Sequence, residues 1–200
     1  NASSYGAEVD SLFVLILYIT GAVFVIVELG LLVFLFKYRK REGRKATYVE
    51  GSTTAEIIWT TIPAVVCLFL GLFSQPLWSR IKDPARIPAD AIPLEVTAKQ
   101  FEWHFGYPGP DGLQGTADDY QKRNELHVVV NRNYSIRLQS EDVIHSFFIP
   151  AFRLKQDAVP GIHIMAWFQP TRTGEYELGC AELCGLGHYR MRARVFVQTP

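Results

Sequence analysis

Cysteine is scarce in this chain: three occur in 200 residues, too few to staple a domain of this length with disulfides. An excess charge of one sign is lacking too. Twenty basic and twenty acidic side chains cancel to a formal net charge of zero, which leaves no surplus for holding nucleic acid or another polyanion. No Met stands at Asn1, which reads as a processed or trimmed chain with any leader outside the sequence in view. No internal repeat and no low-complexity tract is visible. What the chain has in quantity is apolar residues, 48% of the total, and they are placed unevenly. Two apolar blocks lie before position 80, and the rest has the mixed composition of a polar globular domain.

The first block runs from Leu12 to Phe36. At about 1.5 Å per residue it is roughly 37 Å long, enough to cross a hydrocarbon core of about 30 Å. The second, Ile57 to Trp78, has Pro63 near its start and carries Trp59 and Trp78 near its ends, where tryptophan suits the membrane interface. Residues 1–80 therefore read as a short tail and a transmembrane hairpin, with helices over about 11–38 and 54–79. Lys37, Arg39, Lys40, Arg41, Arg44 and Lys45 crowd the connection, whereas the tail carries Glu8 and Asp10 and no Lys or Arg. By the positive-inside rule the connection is cytoplasmic and both termini lie outside. Two buried helices of a soluble core are the competing reading, but such cores rarely need apolar helices this long joined by a basic loop. Glu28 sits inside the first span, where a carboxylate is costly, and is expected neutral or paired at a helix–helix contact. Glu56 follows Ser52, Thr53 and Thr54 in the first turn of the second helix, where an acid offsets the helix dipole.

After a linker over 81–92, with Pro84 and Pro88, residues 93–200 break into short β-rich runs separated by turn formers. Such a pattern predicts a small antiparallel sandwich or barrel. One insertion, 107–120, interrupts it with Asp111, Asp118 and Asp119 among glycines. Three acids in a loop could hold calcium through oxygen ligands, although the spacing is not that of an EF-hand and acidic glycine-rich turns are commonly just solvated.

Chemistry concentrates near the C-terminus. Cys180, Glu182, Cys184, His188 and Met191 fall within twelve positions, and Gly185 and Gly187 let that loop fold tightly. Thiolate and thioether are soft ligands and imidazole is borderline, a combination that selects copper over hard cations. His145, upstream, completes the set once a β-sandwich brings its loop alongside. A disulfide between Cys180 and Cys184 would leave His145, His188 and Met191 unexplained, and structural zinc makes little use of Met. A single blue-copper ion needs only one Cys, so the second thiolate favours two coppers sharing the cluster, with the Glu182 carbonyl as a further ligand. His104, His127 and His163 have no soft partner at ligand spacing and read as surface or core residues.

On these residues the chain resembles cytochrome c oxidase subunit II. The matching motifs are the two-helix hairpin, Glu56 with Trp59, Thr60 and Pro63, and Glu141-Asp142 with His145, Ser146 and Phe147. Asp157 to Gly161 and the string from Cys180 to Met191 also match. The resemblance implies a two-helix transmembrane hairpin followed by an all-β, cupredoxin-like Greek-key barrel bearing a binuclear copper A centre. It also implies a bacterial inner-membrane location with the copper domain on the periplasmic side. The copper ligands it implies are His145, Cys180, the Glu182 carbonyl, Cys184, His188 and Met191. The Glu182 carboxylate would help hold a magnesium ion shared with subunit I, and Glu56 matches the mouth of a proton-uptake channel. The implied activity is electron relay, from cytochrome c to haem in subunit I, where oxygen is reduced and protons are pumped; no catalytic residue lies in this chain. In the aromatic segment Phe101-Glu102-Trp103, Phe101 stands where the family usually has the tryptophan through which the electron comes in. That departure points to a membrane-bound or fused cytochrome c domain as donor, with the nearby acidic insertion as a candidate docking element. Three rival readings remain. A quinol oxidase subunit of the same fold lacks these ligands, whereas a copper A subunit of a nitric oxide reductase would share them. A membrane-tethered copper carrier or assembly protein would favour a more exposed site with fewer ligands.

Overall fold

A helix apolar on every side has no polar face to offer water, so it must be buried in protein or in lipid. Both long helices of the computed structural model, which describes residues 1–200, are of this kind. They are α1, Gly6–Tyr38, and α2, Thr53–Lys82. No residue in the apolar window of either is buried by the rest of the chain, and Phe24, Leu35, Leu68 and Leu72 are all exposed. By length and composition both can cross a membrane. Ser52 caps α2, its hydroxyl accepting from the Ala55 N–H at 3.3 Å. Glu28 is exposed on α1, so within this chain it is not enclosed in a helix–helix contact.

The chain divides into two units, Asp10–Pro76 and a second made of Asn1–Val9 with Leu77–Pro200. The second unit is a sandwich of two five-stranded sheets. Its strands are β1 Ile92–Lys99, β2 Glu102–Tyr107, β3 Tyr120–Arg123, β4 Glu125–Val129, β5 Tyr134–Ser140, β6 His145–Ile149, β7 Leu154–Ala158, β8 Ile164–Phe168, β9 Gly174–Cys180 and β10 Arg192–Gln198. One sheet runs β3-β2-β1-β5-β8 and the other β4-β10-β9-β6-β7. Alternation along the strands supplies the core: Leu94, Val96 and Ala98 from β1, Ile136 and Leu138 from β5, and Val195 and Val197 from β10 all point inward. They meet Phe105, Phe147 and Leu178 between the sheets.

The sheets are not wholly antiparallel, as the strand pattern alone suggested. β1 pairs parallel with β5, and β10 parallel with β4, because the chain crosses between sheets in a Greek-key, cupredoxin-like order. One crossing is a single residue. Asn124, between β3 and β4, has a φ of 57°, a left-handed conformation that Asn tolerates better than most residues. Its side-chain oxygen accepts from the Trp103 N–H, and its own N–H donates to the Trp103 carbonyl, both at 2.8 Å.

The first residues are built into this unit. Ala2 donates its N–H to the Ala151 carbonyl at 2.7 Å, Ser4 donates to Gln169, and Ala2 accepts from Thr171. The Ser3 hydroxyl donates to the Phe152 carbonyl at 2.6 Å. Tyr5 is buried with its ring edge-on to Trp167 at 5.5 Å and its hydroxyl on the Trp167 carbonyl. Glu8 then pairs with Arg80. Truncating Tyr5 to Ala should cost roughly 3 kcal/mol, as for other buried aromatic side chains. The measurement is thermal unfolding of the β domain; an unchanged midpoint would show that the strap is not part of its core.

Candidate metal centre

The ends of three inner strands meet at one end of the second sheet. β6 opens with His145 and β9 closes with Cys180, and the two strands are neighbours with Phe147 opposite Cys180. β10 begins at Arg192, opposite Gly179. The loop between β9 and β10 is closed by the Cys180 N–H on the Met191 carbonyl at 3.1 Å, and Ala181 donates to the Ser146 carbonyl at 3.0 Å. Within the loop, a 3-10 turn at His188–Arg190 directs His188 and Met191 back toward Cys184.

The donor atoms fall into two lobes around a pair of sulfurs. Cys180 Sγ lies 3.9 Å from His145 Nδ1 and 3.2 Å from the Glu182 carbonyl oxygen. Cys184 Sγ lies 3.5 Å from His188 Nδ1 and 3.8 Å from Met191 Sδ. The two sulfurs are 3.8 Å apart, far beyond the roughly 2.05 Å of a disulfide, and both cysteines are free thiols. Donors at such separations fit around a shared ion about 2.0–2.3 Å from each. His145, Cys180 and Cys184 offer ligand atoms that all lie within 4.8 Å of one another. The donor set of thiols, imidazoles and a thioether therefore fits the soft, borderline metal expected from the sequence.

Electrostatics point the same way. Burial, with the neighbouring Cys180, pushes the Cys184 thiol up to about 12, so at neutral pH that thiol keeps its proton until a cation displaces it. His145 is wholly buried and its Nε2 lies 2.8 Å from Asp142 Oδ1. With the proton on Nε2, facing that carboxylate, Nδ1 is free to face Cys180. Burial alone would raise the Asp142 carboxyl. Hydrogen bonds from His145, the Gln100 N–H and the Val143 N–H outweigh it and hold the group below its ordinary range. Gln100 also reaches the loop directly, its side-chain amide donating to the Cys184 carbonyl at 2.5 Å. Asp142 and Gln100 were not singled out from sequence as site residues. For Asp142 the signal was present: an acid three residues before a ligand His.

Other expected site residues lie elsewhere or act differently. Phe101 is half-buried against the core, with the Arg190 guanidinium 5.7 Å above its ring. A Cβ on Gly187 would run into that ring, and one on Gly185 would meet it at 3.3 Å. Trp103, grouped with Phe101 from sequence, is fully buried and has no surface to offer a partner. Strand alternation turns it inward, edge-on to Phe147 at 5.6 Å and His145 at 6.2 Å, with its indole nitrogen lacking a hydrogen-bond partner. Glu182 is exposed, and Glu56 occupies the first turn of α2 in the other unit. In the acidic insertion, Asp111 accepts from Leu113 N–H, Asp118 from the Thr116 hydroxyl and Asp119 from Gly115 N–H. These bonds give the acids a role in holding the turn. His104 bonds Glu102, His127 faces Glu125 and stacks on Phe196, and His163 is exposed.

Replacing Asp142 by Ala should release the His145 ring and weaken metal binding about 10- to 100-fold, the usual cost of losing the partner behind a ligand histidine. Competition with a chelator of known affinity measures this; equal affinity in the variant would show that strand packing alone orients the ring.

The family described as "Cytochrome C oxidase subunit II, periplasmic domain" matches residues 94–198, and its transmembrane-domain counterpart matches residues 1–77. Cytochrome c oxidase subunit 2 of Thermostichus vulcanus is 31% identical over 251 aligned residues, spanning 100% of this chain and 74% of that protein. The alternative cytochrome c oxidase subunit 2 of Bradyrhizobium diazoefficiens is 32% identical over 99% of this chain and 78% of its own length. Among solved structures, the periplasmic domain of subunit II of cytochrome oxidase from Bradyrhizobium japonicum is 31% identical. It covers 56% of this chain and 88% of its own, with a TM-score of 0.47. In its helical part and its β domain alike, this chain belongs to the cytochrome c oxidase subunit II family.

Proposed function

We propose that this chain is the electron-accepting subunit of a haem-copper terminal oxidase, holding two copper ions in the centre formed by His145, Cys180, the Glu182 carbonyl, Cys184, His188 and Met191. The observation that carries the reading is the two-lobed donor set, in which each sulfur has its own imidazole and its own weaker donor. Bound there, the copper pair would supply reversible one-electron chemistry. The protein's part is to keep the donors where they are in both redox states. Cys180 and Met191 are fixed by a shared backbone bond, and His145 by strand pairing and by Asp142. The burial of His145, Cys184 and Met191 excludes water from one side of the site, and a rigid, dry ligand cage lowers the cost of reorganisation. The thioether of Met191 is the weakest donor and the natural one to tune potential.

The wider assignment follows the family. The electron would come from a cytochrome c or a tethered cytochrome c domain and pass to haem in the partner subunit, where oxygen is reduced to water and protons are pumped. The exposed Glu182 carboxylate would contribute to a magnesium site shared with that subunit, and Glu56 would stand at a proton-uptake mouth. The two helices would lie in a bacterial inner membrane with the β domain outside, a reading supported by the basic 37–45 segment.

Copper-loaded protein should be purple and mixed-valent, with a seven-line electron paramagnetic resonance pattern from two coupled ions. Cys184→Ser should abolish that pattern. A colourless copper(I) protein, or a four-line signal from a single ion in the unaltered chain, would overturn the reading.

A further inference from the structure

The apolar block of α1, Leu12 to Phe36, holds one acidic or basic side chain, Glu28. It stands four residues from the middle of that block, roughly 6 Å along the helix axis. The nearest basic residue of the helix, Lys37, is nine positions on, about 14 Å away along the axis and out of reach of a glutamate side chain. In hydrocarbon there is no water to bond a polar group, so such a group costs free energy until another polar group meets it. The hydroxyls of the spans meet that need within their own helices. Thr20 donates to the Ile16 carbonyl at 2.9 Å, and Ser74 donates to the Gly71 carbonyl at 3.1 Å. Glu28 is exposed and is bonded to nothing in this chain. One turn to either side of it stand Phe24, Val25, Leu31 and Leu32, so its own helix offers no side-chain partner.

The same side of α1 carries a second feature. Gly21 lies seven residues before Glu28, which is about two turns and nearly the same line along the helix. A Cβ built at Gly21 would meet nothing within 4 Å, so the space beside the backbone is open there. Glycine in a membrane span lets a second helix approach closely. Lipid chains could fill that hollow, but they carry no donor for a carboxyl at this depth. The line thus combines a gap shaped for a helix with a polar group that only a polar partner can satisfy. Two charges placed together in hydrocarbon would each lose their hydration, so an uncharged donor is the less costly match.

We propose that the Gly21–Glu28 line of α1 seats a transmembrane helix of a partner subunit, and that this helix presents an uncharged hydrogen-bond donor to the Glu28 carboxyl. A hydroxyl, an indole N–H or an amide N–H has the required chemistry. The inference rests on the chain being a subunit of a membrane oxidase, as given above, and does not involve the copper centre. A single hydrogen bond between helices in a bilayer contributes modestly. The contact therefore fixes which face of α1 meets the partner and at what depth, while close packing around Gly21 supplies the area. Glutamine at 28 keeps the acceptor oxygen and nearly the same size, whereas leucine keeps the size alone.

The test is purification of the assembled complex from membranes through a tag on this chain, with the partner subunit counted per copy after graded detergent washes. Glu28→Leu should cut the retained partner about 3- to 20-fold, the span expected for one hydrogen bond between helices. Glu28→Gln should stay within about twofold of the unaltered chain. Adding Ile26→Glu to the Glu28→Leu chain should restore nothing, because position 26 lies on the opposite side of the helix. A photoreactive side chain at Leu32, with Glu28 left in place, should crosslink to the partner, whereas one at Ile26 should not. That readout holds where the Leu variant fails to reach the membrane. Full retention by Glu28→Leu would overturn the proposal and leave the carboxyl facing lipid. Crosslinking from 26 and not from 32 would overturn it too, as would equal losses in the Gln and Leu variants, which would make the partner a cation. If the unaltered chain retains no membrane subunit at all, the reading as an oxidase subunit itself falls.

Discussion

The ligand loop depends on one backbone hydrogen bond, the Cys180 N–H on the Met191 carbonyl. It is the last rung of the β9–β10 ladder, and it pins the first and last ligands of a twelve-residue stretch to adjacent strands. Everything between can then be irregular, because its ends are not free to move. The turn at Gly185 and the 3-10 turn at His188–Arg190 are affordable only on that footing. On the other side of β9, pairing with β6 delivers His145 to the same end of the sheet. Three strands thus fix the positions of the donors before any metal is considered.

Burying polar ligands raises a second requirement, since each buried polar atom needs a partner. His145 finds Asp142, and Asp142 in turn takes the Gln100 N–H. Ser146, also buried, donates to Asp157 at 2.6 Å. The exception is the Trp103 indole nitrogen, which stands among His145 and Phe147 in the layer beneath the donors. The polar ties run sideways into the 98–101 and 140–143 segments of the opposite sheet, so the centre is braced by both halves of the sandwich.

The features legible in the sequence were those encoded over short distances. The apolar spans announce themselves because every position in them has the same character. The ligand string is contiguous apart from His145, and the strands carry their own two-residue alternation. What was not legible depends on pairing across the chain. Nothing in Ala2, Ser3 or Tyr5 says that they bond to residues near 151 and 169, and a tail ahead of an apolar helix looks the same whether it is free or docked. The parallel pairs β1–β5 and β4–β10 depend on which sheet each strand joins, and alternation does not report that. Trp103 lies two residues from Phe101 and shares its aromatic character, yet Trp103 is inside β2 and buried, whereas Phe101 precedes the strand, in the turn, and is half open. The acidic insertion is near Phe101 in sequence and remote along the strand, because β2 is extended and sequence proximity there is converted into distance.

The seating of Phe101 on the glycine-flanked loop has a consequence for how this protein can vary. The ring occupies the space that a Cβ at 187 would need, and the left-handed backbone at Gly185 disfavours any side chain there. Positions 101 and 187 are therefore not independent letters. A bulkier residue at 187 is tolerable only with a smaller one at 101. Among relatives of this chain, an aromatic residue at 101 and glycine at 187 should be gained and lost together, so that the pair behaves as one inherited character.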